Sequence, residues 1–154
     1  MNIKWIGDAL QIGFNFALSK KILHRRGCAM GKRKILIVDD NKGIVLVLRF
    51  MLEDEGYEVE VAWNGEEGYL AYLLFDPDLV ITDIQMPVRT GIELISLIRS
   101  HNPSVRAIYM SGNLAEFKPV LEEEKSKYHA CFLPKPFSRS DLIKSISECS
   151  GEPC

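Results

Sequence analysis

Residues 78–91, Asp-Leu-Val-Ile-Thr-Asp-Ile-Gln-Met-Pro-Val-Arg-Thr-Gly, decide how this chain folds. The apolar run Leu79-Val80-Ile81 is rich in β-branched side chains and bounded by turn residues, which reads as a short, fully buried strand. It delivers one carboxylate, Asp83, at its C-terminal end, and Pro87 and Gly91 then break the chain before a new helical pattern. In an open parallel sheet, ligands bind in the crevice beyond the carboxyl ends of the strands, so an acid there is a candidate for chemistry.

Three other segments end in the same way. Asp39-Asp40 follow Ile35–Val38, Ser111-Gly112 follow Ile108–Met110, and Lys135-Pro136 follow Cys131–Pro134. Between them the chain alternates strand and helix. A helix through Ile44, Val45, Leu48, Met51 and Leu52 stops at Gly56, where a C-terminus favours glycine. A second strand, Tyr57–Ala62, points Tyr57, Val59 and Val61 to one face, and a second helix runs through Leu70, Leu73 and Leu74 to Asp76-Pro77. A third helix carries Ile92, Leu94, Ile95 and Ile98, a fourth, polar one lies near Leu114–Ser126, and the last is capped by Ser138 and buries Leu142, Ile143 and Ile146. Five strands alternating with five helices predict an α/β fold, a parallel sheet covered on both faces.

With 154 residues, 47% of them hydrophobic and 26% charged, the chain suits one domain and a short appendage. The formal net charge of −2 offers no basic face for nucleic acid, and no apolar run approaches a membrane span. Cys28, Cys131, Cys149 and Cys154 show no pairing rhythm and read as reduced cytosolic thiols, Cys131 being a small core residue. We divide the chain into an N-terminal extension (1–31), a domain (32–150) and a short tail (151–154). The extension spaces Ile3, Ile6, Leu10, Phe14 and Ala17 helically and then turns basic at Lys20, Lys21, His24, Arg25 and Arg26. It reads either as a leader the domain does without, Met30-Gly31-Lys32 being a natural beginning, or as a basic amphipathic segment for a membrane surface or partner.

Asp39, Asp40 and Asp83 on adjacent strand ends repel one another unless a hard cation sits among them. Mg²⁺ is the natural candidate, because it takes oxygen ligands and keeps waters for a phosphate. Each residue also has a plain structural role open to it. The Asp pair can cap the helix from Lys42, Ser111 can cap the fourth helix, and Lys135, between residues of a Pro-Lys-Pro turn, can be a solvated loop lysine. Together these roles fail to explain why such residues recur at the same end of four strands.

The motifs Ile-Leu-Ile-Val-Asp-Asp (35–40), Leu-Val-Ile-Thr-Asp-Ile-Gln-Met-Pro (79–87), Tyr-Met-Ser-Gly (109–112) and Phe-Leu-Pro-Lys-Pro-Phe (132–137) resemble the receiver domain of two-component response regulators, of the chemotaxis-regulator type. The resemblance runs from about Arg33 to Glu148. It implies a flavodoxin-like doubly wound (βα)5 sheet of order 2-1-3-4-5. It further implies that Asp83 is the phosphoacceptor and that Asp40, Asp83 and the backbone carbonyl of Gln85 hold Mg²⁺, with Asp39 helping directly or through water. Lys135, its bond to Pro136 cis, would pair with the phosphoryl oxygens, and Ser111 and Phe132 would be the switch pair. The implied protein promotes its own phosphorylation and autodephosphorylation without being a dedicated output enzyme. Its implied partners are a cytoplasmic sensor histidine kinase or histidine phosphotransfer protein and a downstream protein target, with a phosphorylation-dependent homodimer also open to it.

The sequence departs from the pattern at three places. Phe132 stands where many relatives carry tyrosine, Asn41 where a third acid is frequent, and Arg89-Thr90 replace a small or acidic loop. Only about a dozen residues follow Leu142, so output is expected through protein contact or onward phosphotransfer rather than an appended domain. A haloacid-dehalogenase-like phosphatase would need an Asp two residues beyond its nucleophile, where Gln85 and Asn41 stand. A nucleotide-binding domain would need a glycine-rich phosphate loop after the first strand, and none is present.

Overall fold

A computed structural model describes residues 32–151. The N-terminal extension and residues 152–154 of the tail lie outside the described residues. Five strands, β1 (Lys34–Val38), β2 (Glu58–Ala62), β3 (Leu79–Asp83), β4 (Arg106–Ser111) and β5 (Ala130–Pro134), form one parallel sheet in the order β2-β1-β3-β4-β5. The helices are α1 (Lys42–Asp54), α2 (Gly65–Phe75), α3 (Gly91–His101), α4 (Lys118–Lys127) and α5 (Arg139–Ser150). This is the flavodoxin-like order implied by the resemblance.

β3 is buried along its whole length, as its unbroken apolar run requires of a central parallel strand. Register puts Val38 beside Thr82, Asp83 beside Met110, and Ser111 beside Pro134, so the candidate residues reach one edge of the sheet together. On one face, Val45, Leu48 and Leu52 of α1 and Leu142 and Ile146 of α5 pack against Ile37, Ile81 and Ile108. On the other, Tyr72, Leu94, Ile95, Ile98 and Leu121 of α2, α3 and α4 cover Leu36, Val80 and Tyr109. The face assigned to Tyr57, Val59 and Val61 is the observed one.

Two helices differ from the sequence reading. The leucines expected to carry α2 point outward: Leu70 is 60% and Leu74 83% exposed, and the buried line is Gly65, Gly68 and Tyr72. A Cβ on Gly68 would stand 3.0 Å from both Leu94 and Val38, so the helix lies too close to its neighbours for a bulky side chain there. The fourth helix is interrupted. A 3₁₀ turn, Leu114–Phe117, precedes α4, which has Pro119 in its first turn. Proline lacks the N–H and blocks the carbonyl four residues back, so it starts a helix and cannot continue one. Cys131 is at the margin of the core, and the buried thiol is Cys149.

Candidate functional site

The site is built from three strand ends and the turn after a fourth. Lys135 follows β5 through a cis bond to Pro136, and its backbone N–H donates to the Ser111 carbonyl at 2.8 Å. That bond pins the turn to the end of β4 and points the ammonium across the sheet edge. Lys135 Nζ lies 2.7 Å from Asp39 Oδ2 and 2.7 Å from Asp83 Oδ1. One lysine thus bridges the ends of β1 and β3, and it is no loose loop cation.

Asp39 is 1% exposed, and its Oδ1 accepts the Asn41 backbone N–H at 2.8 Å. The capping role open to the Asp pair belongs instead to Asn41, whose side-chain oxygen accepts from the Gly43 and Ile44 N–H groups. That leaves Asp39 facing Lys135 and Asp40 exposed at the mouth of the site. Asparagine at position 41, a departure from the family pattern, therefore does the helix's work without adding charge.

Asp83 is 7% exposed. Burial pushes its carboxyl above the usual range, against the pull of the bond and charge of Lys135 and of the Gln85 backbone N–H. Burial opposes charge on Lys135 as well, but its bonds to Asp39 and Asp83 outweigh that and raise it. The loop beyond Asp83 is tightly held. Ile84 N–H donates to Met110 O and Gly91 N–H to Ile84 O, both at 3.0 Å, and a Cβ on Gly91 would stand 2.1 Å from the Asp83 carbonyl oxygen. Gly91 is thus required by close approach to the backbone of Asp83. Val88 takes φ +69° while Arg89 N–H donates to Pro87 O at 2.8 Å, the strained form of the γ-turn. For a β-branched residue that conformation is an outlier.

Ser111 is buried, and its Oγ accepts the Asn113 N–H at 3.0 Å, which excludes the helix-capping role since the 3₁₀ turn has no side-chain cap. The Phe132 ring is half-buried beside Tyr109, centroids 6.0 Å apart and planes 26° from parallel. Asp39, Asp83 and Lys135 are thus in direct contact. Asp40, Gln85, Ser111 and Phe132 stand around them on adjoining strand ends and loops.

Three carboxylates set against one ammonium leave an excess of negative charge, which fits a hard divalent cation. Among the described residues no three acidic, histidine or cysteine side chains converge as a ready cage. Such an ion with most of its waters retained needs only a few protein oxygens, and Asp40, Asp83 and a main-chain carbonyl of the loop are the ones that could hold it.

Sequence reasoning missed Val88, Gly91 and Thr82, whose Oγ1 donates to the Asp83 carbonyl at 3.0 Å. In sequence Gly91 reads only as a breaker. Its spacing of eight residues from Asp83 in a loop that must double back was the available signal.

The family model described as response regulator receiver domain matches residues 35–147. The chemotaxis protein CheY of Halobacterium salinarum is 32% identical over 118 residues, covering 75% of this chain and 95% of that protein. The DNA-binding transcriptional regulator NtrC of Rhizobium meliloti is 32% identical over 119 residues, which is 77% of this chain but 24% of the regulator. The chain thus spans about a quarter of the length of that relative. Among solved structures, chemotaxis protein CheY4 of Vibrio cholerae superposes with a TM-score of 0.70 at 30% identity, covering 77% of this chain and 99% of that one.

Proposed function

The chain belongs to the response regulator receiver family, and on that footing we propose that it accepts a phosphoryl group on Asp83 from a phosphohistidine of a sensor kinase or phosphotransfer protein. The observation that supports this most is the shared contact of Lys135 Nζ with Asp39 and Asp83, 2.7 Å to each. It places a fixed cation against the one buried carboxylate at the end of the central strand.

An Asp83 oxygen attacks phosphorus in line, an O–P bond forms, the P–N bond breaks with its electron pair left on the ring nitrogen, and the imidazole departs neutral, its other nitrogen keeping the proton it already carried. Such a transfer asks for positioning and charge neutralisation more than for covalent help from the protein. Lys135 already faces Asp83 and can follow the charge from the carboxylate to the phosphoryl oxygens while Asp39 holds its other side. Ser111 Oγ can exchange the Asn113 N–H for a phosphoryl oxygen, and Phe132 can then move into the space it leaves. Asp40, Asp83 and the Gln85 carbonyl would hold Mg²⁺, with Asp39 helping directly or through water, and the ion would supply neutralisation of the phosphoryl oxygens.

A groove of about 500 Å³ runs beside the site between α1 and the turn after β5, where Val47, Leu48 and Met51 face Pro136 and Phe137 and Lys135 closes one end. Leu46 and Phe50, 59% and 71% exposed, continue the apolar surface along α1. This surface favours a protein donor, because an incoming helix finds its apolar contact within reach of Asp83. Output goes through protein contact or onward transfer, in the cytoplasm, and no part is assigned to nucleic acid. Among the described residues no helix is long and apolar enough to cross a membrane.

The test is incubation with acetyl phosphate and Mg²⁺, followed by intact-protein mass measurement. One added phosphoryl group is expected, absent when chelator replaces Mg²⁺ from the start and strongly reduced in Lys135→Ala. Modification that forms unchanged in chelator or in that variant contradicts the reading.

A further inference from the structure

The region opposite α1 holds a buried polar cluster that phosphoryl chemistry at Asp83 does not use. Arg99 of α3 is 6% exposed and its guanidinium meets the carboxylate of Glu124 in α4. The same Glu124 oxygen accepts the Tyr109 hydroxyl of β4 at 2.6 Å. The guanidinium carbon also lies 3.9 Å from the centre of the Tyr128 ring, just past the end of α4. Two side chains from two other elements, Arg99 and Tyr109, therefore converge on the Glu124 carboxylate, and Tyr128 covers the guanidinium.

Two features make the cluster more than packing. The first is that α4 has little else to hold it, since Leu121 is its single buried residue and the 3₁₀ turn before it has none. The second is that the cluster is imperfectly satisfied: Arg99 Nε and Nη2 are buried with no hydrogen-bond partner among the described residues. A partly satisfied buried network keeps the desolvation cost of its unpaired groups and holds less firmly than a fully bonded one.

The cluster is wired to the site through Tyr109. Tyr109 and Ser111 leave the same face of β4, two residues apart, and Tyr109 pairs in register with Phe132, against whose ring it lies. Ser111 Oγ also holds the Asn113 N–H, the residue that opens the 3₁₀ turn into α4.

We propose that Tyr109, Glu124 and Arg99 form a latch that holds α4 against the sheet, and that movement of Ser111 and Phe132 opens it. When Ser111 turns toward a phosphoryl group, Asn113 loses its acceptor at one end of α4. When Phe132 follows, the Tyr109 ring loses its neighbour and its hydroxyl leaves Glu124. α4 then rests on Leu121 alone, and its outer surface changes without a change in the sheet. The trigger rests on the proposed phosphorylation of Asp83; the latch itself is a property of the unmodified protein. Tyr109, Glu124 and Arg99 are positioning residues.

Hydrogen exchange read by peptide mass spectrometry on the full chain separates these claims, comparing wild type, Tyr109→Phe and Glu124→Gln with and without beryllofluoride and Mg²⁺. Loss of a bond to a charged acceptor is expected to speed exchange across 118–127 about tenfold or more in both variants, with β1 and β3 unchanged. Beryllofluoride is expected to speed the same segment in wild type and to add little in Tyr109→Phe. Exchange in 118–127 that matches wild type in both variants overturns the latch. Beryllofluoride that slows the loop 84–90 but leaves 118–127 untouched overturns the coupling. Beryllofluoride without effect on 84–90 counts against phosphorylation at Asp83, and the latch is still decided by the variants alone.

Discussion

At Asp83 the fold works against the charge it needs. Burial raises the carboxyl pKa despite Lys135, and an acid raised in the folded state destabilises the fold in its ionised form. That penalty is absent below the unfolded pKa, grows as the pH rises and is complete above the folded one. Asp83→Asn is therefore expected to raise the thermal midpoint at pH 7 without metal, and to lose that advantage as the pH falls and the wild-type carboxyl protonates. A midpoint for Asp83→Asn below wild type at pH 7 would mean that the Lys135 pair outweighs the burial. Val88 tells a parallel story in the backbone. A left-handed valine costs about 1–2 kcal/mol, and glycine gives back part of that through the entropy of the unfolded chain. Val88→Gly should then gain on the order of 0.5–1 kcal/mol in denaturant titration, and a loss would show that the exposed side chain makes a contact worth more than the strain. The Asp83 carboxylate was legible because it ends an unbroken apolar strand. The Val88 turn was not, because a valine after Pro87 announces no positive φ.

At the scale of elements, what each helix buries depends on how closely it approaches the sheet. α2 looked like a leucine helix, yet it packs through Gly65, Gly68 and Tyr72 and turns Leu70 and Leu74 to water. The glycines three residues apart were the better signal, since a helix lying that near β1 and α3 has no room for leucine. Leu74→Gln should change stability by no more than about 0.5 kcal/mol. Gly91→Ala is expected to behave in the opposite way at the start of α3. Its new methyl group would meet the Asp83 carbonyl oxygen and Thr82 Oγ1, so the loop must shift at a cost of about 1–3 kcal/mol, and the rate of modification by acetyl phosphate should fall with it. Chemical denaturation of the two variants side by side checks both statements; equal midpoints would refute the packing account. The split before α4 could be read from Pro119. The Arg99–Glu124–Tyr109 cluster could not, because its members lie on three elements and leave no local pattern.

For the whole molecule, the parallel sheet does the assembling. Strand order brings β1 and β5 to either side of the β3–β4 pair, and a common direction puts every strand's C-terminus at one edge. This is why Asp39, Asp83, Ser111 and Lys135, separated by up to 96 positions, could be assigned to one site from apolar runs followed by polar residues. Contact lengths, the side chain that caps α1 and the shared use of Lys135 needed coordinates, since alternation says where a residue lies and not which neighbour it chooses. The destination of the phosphoryl group decides whether these residues form one phosphoacceptor site. Treating the phosphorylated protein with sodium borohydride reduces an acyl phosphate of aspartate to homoserine, which peptide mass spectrometry then locates. Homoserine is expected at position 83 and nowhere else. Homoserine at position 39 or 40, or a phosphorylated protein that yields none, would contradict the assignment to Asp83.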